Sequence, residues 1–248
     1  DSLPPLYRIR EIYINVRNWE EAHNTQKQII ALTPRKMVGD EKKVQAALVY
    51  ETSVDHMNAG QAEQARAGFR SVLSYDNTFI PAYLKLAEAE ENLGWSQDAI
   101  TILEKGFKAT RSILILKALE EVLFARGEGQ KGVDELKWAK NLAPSEDVIA
   151  LFLADAYMRE GDFVSARREI ELLESRLEGL TLFHLIEGKI RQGENNTDQA
   201  MESLNNAYMQ ERVTMFRFSC AKCNNSASEY SGRCKACGQW NSLEVTLG

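Results

Sequence analysis

Asn58-Ala-Gly60-Gln, Asn92-Leu-Gly94-Trp, Ala125-Arg-Gly127-Glu and Arg159-Glu-Gly161-Asp are four versions of one turn, spaced 34, 33 and 34 residues apart. A fixed period of this length marks a stacked-repeat architecture, and it decides the fold. A helical pattern of about 14 residues precedes each glycine and a second helix follows it, opened in one case by Asp98-Ala99. The glycine supplies the left-handed or tight conformation that lets two helices run antiparallel. Five positions on stands a small residue (Ala65, Ala99, Gly132, Ala166), and four beyond it a large apolar one (Phe69, Leu103, Leu136, Ile170). Ala22, Ala200 and Leu204 extend the pattern outward. The small residue permits close helix approach, and the large one fills the gap between neighbours. Pro34 and Pro144 end second helices, which proline cannot continue. An unrelated helical bundle is the competing reading, and four glycines in one register speak against it.

This pattern resembles the tetratricopeptide-repeat family over residues 3–212, with repeats near 3–34, 46–77, 80–111, 113–144, 147–178 and 181–212. The first repeat has no turn glycine, and Asn18 does its work; Arg35–Lys43 is an insertion. In the last repeat Glu194-Asn-Asn-Thr-Asp198 lengthens the turn and displaces its glycine. The expected fold is all-α, a repeat superhelix over residues 1–214. In the family the first helix of each pair lines a concave face that binds peptides or protein segments. Its register places Tyr50, Val54 and Met57 there, then Leu84, Glu88 and Glu91, then Lys117, Glu121 and Phe124. Leu151, Asp155 and Met158 follow, then Leu185 and Lys189. The partner-binding candidates are Tyr50, Met57, Glu88, Lys117, Glu121, Phe124, Asp155 and Lys189.

The chain holds four cysteines, Cys220-Ala-Lys-Cys223 and, ten residues on, Cys234-Lys-Ala-Cys237. Two CxxC pairs at this separation are the ligand set of a tetrahedral thiolate site, each pair on one tight turn. So short a segment cannot bury enough apolar surface to fold alone, so a metal must hold it. Two disulfides are the alternative, disfavoured because no secretory signal is visible and no other cysteine occurs. A thioredoxin-like pair would need a surrounding βαβ pattern, which is absent. Four thiolates suit zinc and also a single iron, zinc being the usual occupant of such sites. All four ligand positions are protein-filled, which argues for structure over catalysis.

The 248 residues are 44% hydrophobic and 27% charged, ordinary for a soluble chain, and no apolar run is long enough to span a membrane. The chain begins Asp1-Ser2-Leu3 without a methionine and reads as a fragment or a processed form. Net charge is −6, divided as +2 over residues 217–248 and −8 over the rest. A body this acidic repels phosphate backbones, so only the tail, with Arg217, Lys222, Arg233 and Lys235, could touch nucleic acid. His23, His56 and His184 fall at helical positions far apart in the repeat register and read as packed residues, with His56 a candidate for the concave face. Gly127-Glu-Gly129-Gln-Lys-Gly132 spaces its glycines like a dinucleotide fingerprint, but no strand precedes it. The acidic runs Glu88-Ala-Glu90-Glu91 and Glu120-Glu121 read as solvated helix faces. No catalytic constellation emerges, and the chain is expected not to be an enzyme.

Around the ligands run Phe216-Arg-Phe218-Ser-Cys220 and Tyr230-Ser-Gly232-Arg-Cys234-Lys-Ala-Cys237-Gly238-Gln-Trp240-Asn-Ser-Leu243. A strand is expected to enter the first knuckle. Asn224 and Gly238 are positioned to admit a left-handed backbone whose N–H groups point at thiolates. Phe218, Tyr230 and Trp240 look like a miniature core, and the last repeat offers Leu204, Ala207 and Tyr208 for docking. The tail, residues 215–248, resembles a rubredoxin-type zinc ribbon, with a loop between the knuckles too short for an electron-transfer rubredoxin. Repeats ending in such a ribbon resemble the lipopolysaccharide assembly protein B family (LapB, also called YciM) of Gram-negative bacteria. That resemblance implies an adaptor on the cytoplasmic face of the inner membrane, anchored by a helix that this chain lacks. It implies presentation of the LpxC deacetylase to the FtsH protease, which limits lipopolysaccharide synthesis, with restraint by LapC (YejM). A homodimer is an open possibility. The rival classes are a nucleic-acid-binding zinc ribbon on a helical scaffold and an electron carrier with a red iron centre.

Overall fold

A computed structural model describes residues 3–143, 146–177, 180–209 and 216–247. Pro144, the expected ends of the last three repeats and the expected 214/215 boundary lie outside the described residues. The helices pair as the period requires: α1 (Leu3–Asn15) with α2 (Trp19–Leu32), α3 (Val38–Asn58) with α4 (Ala62–Tyr75), and α5 (Ile80–Asn92) with α6 (Ser96–Thr110). Next come α7 (Ile113–Ala125) and α8 (Gly129–Leu142), then α9 (Asp147–Arg159) and α10 (Phe163–Glu171) with the short α11 (Glu174–Leu177). The last pair is α12 (Thr181–Gly193) and α13 (Thr197–Met209). The ribbon strands are β1 (Phe216–Cys220), β2 (Ser226–Ala227) and β3 (Leu243–Leu247), in antiparallel order β2-β1-β3. No helix among the described residues is long and apolar enough to cross a membrane. The chain divides into two compact units, Asp1–Ile115 and Leu116–Gly248.

The turns behave as the period predicts, with two corrections. Gly60, Gly94, Gly127 and Gly161 all take positive φ, between 74° and 79°. In the first pair the left-handed residue is Arg17 (φ 55°), not Asn18, whose side chain instead accepts from the Glu21 N–H at 3.2 Å as the N-cap of α2. In the last pair nothing is displaced: Asn195 takes φ 63° at 34 residues from Gly161, asparagine tolerating what glycine does elsewhere. Gly193 serves another purpose, since a Cβ there would run into the Phe163 ring. Open space surrounds the Cβ position of Gly161, so Gly161→Ala should cost only the left-handed strain, about 1–2 kcal/mol. Thermal melts of the variant would show whether the turn alone sets that figure.

The small and large positions are core. Ala22, Ala65, Ala99 and Ala166 are fully buried, as are Phe69 and Leu103. The segment predicted as an insertion is mostly helix, because α3 begins at Val38 and adds about two turns ahead of its repeat. Glu41, on that extension, accepts from the Tyr7 hydroxyl at 2.8 Å and from Gln26 Nε2 at 2.7 Å. Arg10 donates to Gln26 Oε1 at 2.7 Å, so a polar network ties α1, α2 and α3 together. In the second unit Ala150, Leu151, Ile170, Phe183, Ile186 and Ile190 form one cluster, with Tyr157 and Met158 packed against it.

Two of the expected solvated acids are buried. Glu90 is wholly inaccessible and receives Arg66 at 2.9 Å and Arg70 at 2.8 Å. Glu120, 1% exposed, receives Lys117 at 2.8 Å and Arg159 at 3.1 Å. A buried carboxylate survives only when paired, and each of these has two cations. Glu88, Glu91 and Glu121 are exposed, as expected.

Candidate metal centre and protein-binding face

The ribbon is built from two knuckles of the same design. In the first, Cys220 N–H donates to the Asn225 carbonyl at 3.0 Å and Asn224 N–H to the Cys220 carbonyl at 2.8 Å. In the second, Cys234 N–H donates to the Gln239 carbonyl at 2.8 Å and Gly238 N–H to the Cys234 carbonyl at 2.9 Å. Asn224 (φ 55°) and Gly238 (φ 73°) hold equivalent left-handed positions, as the sequence suggested. Their own N–H groups go to carbonyls, however. A donor that reaches sulfur is Lys222 N–H, 3.4 Å from Cys220 Sγ. Ladder pairing of Cys220 with Leu243 and an Ala221 N–H bond to the Ser242 carbonyl (2.9 Å) seat the first knuckle on β3. Arg233 seats the second, stacking on Trp240 at 4.5 Å and donating to the Gly238 carbonyl at 2.8 Å.

The four Sγ atoms all lie within 4.8 Å of one another. Cys220 and Cys237 are 3.7 Å apart, Cys223 and Cys234 3.8 Å. A tetrahedron with metal–sulfur bonds of about 2.3 Å has edges of about 3.8 Å, so these two sulfur pairs already have the separation that a tetrathiolate ion needs. Without the ion the thiols compete for protons. The Ser242 hydroxyl leads in drawing Cys220 down to about 6. At Cys223 the Asn225 N–H pulls downward but is outweighed by desolvation and the three other thiols, which push it up to about 12. A bound cation displaces these protons, and its affinity falls as pH drops. Tetrahedral S4 geometry serves zinc and iron alike.

The buried centre of the ribbon is Cys220, Cys234 and Leu243, with Ala227 and Tyr230 against it. Phe218 joins through Tyr230 (ring centroids 5.8 Å apart), whereas Trp240 belongs to the Arg233 stack. The ribbon meets the repeats through Phe216, whose ring sits edge-on to Phe152 of α9 at 6.3 Å. Of the candidates in α13, Ala207 is buried and Tyr208 is 86% exposed.

The expected partner-binding residues divide. Tyr50 is core, 6% exposed, between Phe69 (5.7 Å) and Phe79 (5.2 Å). Leu151 is fully buried. Glu88, Glu121 and Lys189 are exposed, and Met57, Phe124 and Asp155 are half-buried. Lys117 is engaged inward, on Glu120 and 5.2 Å above the Phe152 ring. Arg159 lies 3.6 Å above the Phe124 ring while holding Glu120, a residue pairing that sequence reasoning missed. A signal existed: seven positions before the turn residue, repeats two, three, five and six carry Ser53, Ala87, Ala154 and Gly188, all small and buried, where the fourth carries Glu120. The histidines are structural. His23 meets Gln45 Nε2 at 2.5 and 3.1 Å, and burial, then Lys27, lowers its pKa. His56 meets Gln61 in the turn at 2.6 Å, and His184 lies 3.6 Å from Glu187.

Residues 218–244 match a family described as a rubredoxin metal binding domain, the LapB-type zinc ribbon. No curated protein sequence matches significantly. MamA from Desulfovibrio magneticus RS-1, residue 41 to its end, superimposes with TM-score 0.50 at 17% identity, covering 68% of this chain and 96% of that one. Another MamA crystal structure gives 0.49 at 22% identity over 67% and 91%. A tetratricopeptide repeat protein from Parabacteroides merdae ATCC 43184 gives 0.47 at 12% identity over 86% and 94%. At such identities the likeness is one of fold. The chain has the stacked helix-pair fold of tetratricopeptide repeats and carries a four-cysteine rubredoxin-type ribbon. The ribbon is of the LapB type, and its pairing with a helix-pair array resembles the LapB family.

Proposed function

We propose that the chain is a non-enzymatic adaptor with two domains, repeats over 1–214 and ribbon over 215–248. It regulates lipopolysaccharide synthesis by presenting the LpxC deacetylase to the FtsH protease at the cytoplasmic face of the inner membrane. LapC (YejM) is the expected restraining partner, and zinc the expected metal. The observation that carries this reading is the LapB-type ribbon at residues 218–244, joined to a repeat array. Its thiolate site fills every ligand position with protein, which suits a staple rather than a catalyst. In the second unit the helix faces bearing Glu121, Phe124, Asp155 and Lys189 offer the mixed apolar and charged surface a polypeptide needs, and Glu88 of the first unit is a further candidate.

Binding titrations of the purified chain against the deacetylase and the protease, at two salt concentrations, test it. Glu121→Lys with Lys189→Glu should weaken binding by about 1–2 kcal/mol per contacting residue while helicity stays intact. Both side chains are exposed, so the change spares the core. Failure to bind either protein, with tight salt-sensitive binding to RNA instead, would overturn the reading in favour of a nucleic-acid-binding ribbon.

A further inference from the structure

We propose that the four-cysteine centre is a thiol switch, which a hydroperoxide converts into two disulfides, Cys220–Cys237 and Cys223–Cys234, with release of the metal. The first observation is an asymmetry of exposure. Cys223 and Cys237 are exposed, while Cys220 and Cys234 are buried. Each knuckle therefore presents one exposed cysteine to a dissolved oxidant and keeps the other buried. Reactivity of thiolates follows such access.

The second observation is where the shielded sulfurs lie. Exposed Cys237 has buried Cys220 of the opposite knuckle at 3.7 Å, and exposed Cys223 has buried Cys234 at 3.8 Å. Backbone hydrogen bonds beside the sheet fix this juxtaposition from both sides. Ala221 N–H is held by the Ser242 carbonyl, and Asn241 N–H by the Gly232 carbonyl at 2.8 Å. Both disulfides would cross between knuckles and hold them as the metal does. Disulfides within a CxxC would close only short loops and leave the knuckles free to part. No cysteine precedes Cys220, so no other thiol of this chain competes as the resolving partner.

The step balances as follows. The Cys237 thiolate attacks the terminal hydroperoxide oxygen; the S–O bond forms, the O–O bond breaks, and the leaving oxygen takes a proton and departs as an alcohol, or as water where the oxidant is hydrogen peroxide. The Cys220 thiolate then attacks Cys237 Sγ and expels hydroxide, which is protonated to water. Two sulfurs are oxidised by two electrons in all, and the peroxide is reduced. A second peroxide repeats this at Cys223 and Cys234. The metal, deprived of its four thiolates, leaves as the hydrated ion.

The test uses the full chain loaded with zinc, a chromophoric zinc chelator too weak to strip the untreated protein, and hydrogen peroxide. The expected result is one zinc released and four thiols lost for every two peroxides consumed. Trypsin cuts after Arg217, Lys222, Arg233 and Lys235, so each cysteine falls on its own peptide. Mass spectrometry should find 218–222 joined to 236–248, and 223–233 joined to 234–235. Dithiothreitol with added zinc should restore four thiols and the bound metal. Retention of zinc under peroxide, linkage of 218–222 to 223–233, or sulfinic acids in place of disulfides would each overturn the proposal.

Discussion

Replacing Cys234 with serine is expected to release the metal and to open residues 216–247 to protease, while the repeats keep their helical signal. The ribbon's buried centre is Cys220, Cys234 and Leu243, and two of those three are metal ligands. Its sheet has only one strand pair longer than two residues. Such a segment buries too little apolar surface to offset the entropy of ordering it. Binding of a structural metal, about 10–16 kcal/mol for zinc in small finger peptides, is coupled to folding in such a segment. Serine removes one thiolate and turns a closed site into a three-sulfur one. The helix pairs stack on their sequence neighbours and draw little from the ribbon, so they should survive. Limited proteolysis read by mass spectrometry, alongside circular dichroism, separates the two parts. A ribbon that stays protected without metal would contradict this account.

Lys117→Met is expected to destabilise the chain by about 3 kcal/mol at pH 8 and by less at pH 5. Lys117 is not a free groove cation, because it holds buried Glu120 from within α7. Desolvation is the largest influence on Glu120 and raises its pKa; Lys117 and Arg159 pull it back, and Asp155 pushes it further up. A carboxyl raised in the folded state binds its proton more readily there than in the unfolded chain. Stability it confers is full below the unfolded value and falls as pH climbs through the folded one. Removing Lys117 deletes a lowering influence, so the folded value rises again and the charged form becomes costlier. The penalty should therefore grow with pH. Urea denaturation of the variant and wild type at both pH values reads it; an equal loss at the two would refute the buried-charge explanation. Charge reversal at Lys117 cannot test partner binding, because it would set a second carboxylate against Glu120.

Much of the architecture was legible because it is written in local periodicity. A turn that needs positive φ shows as glycine, and close helix contact shows as alanine five residues later. Asn195 escaped notice because asparagine can stand in for glycine and Gly193 lay nearby as a decoy. Arg17 escaped because an arginine at positive φ carries no sequence mark. The insertion at 35–43 was visible as a break in period, but its helical state depends on Glu41 finding Tyr7 and Gln26, partners some 15 to 34 residues away.

By itself the sequence determined the repeat period, the pairing of helices and the four thiolate ligands. Each of these rests on short local motifs, a turn glycine between two helices or two cysteines three apart, whose recurrence along the chain can be read directly. Only the tertiary structure decided that Glu90 and Glu120 are buried between cations, that Tyr50 is core, and that Phe216 brings the ribbon to Phe152. It also decided which cysteine of each knuckle is exposed. Burial is a property of which faces meet, and one helical pattern fits a solvated or a buried acid equally until a neighbouring helix supplies the partners.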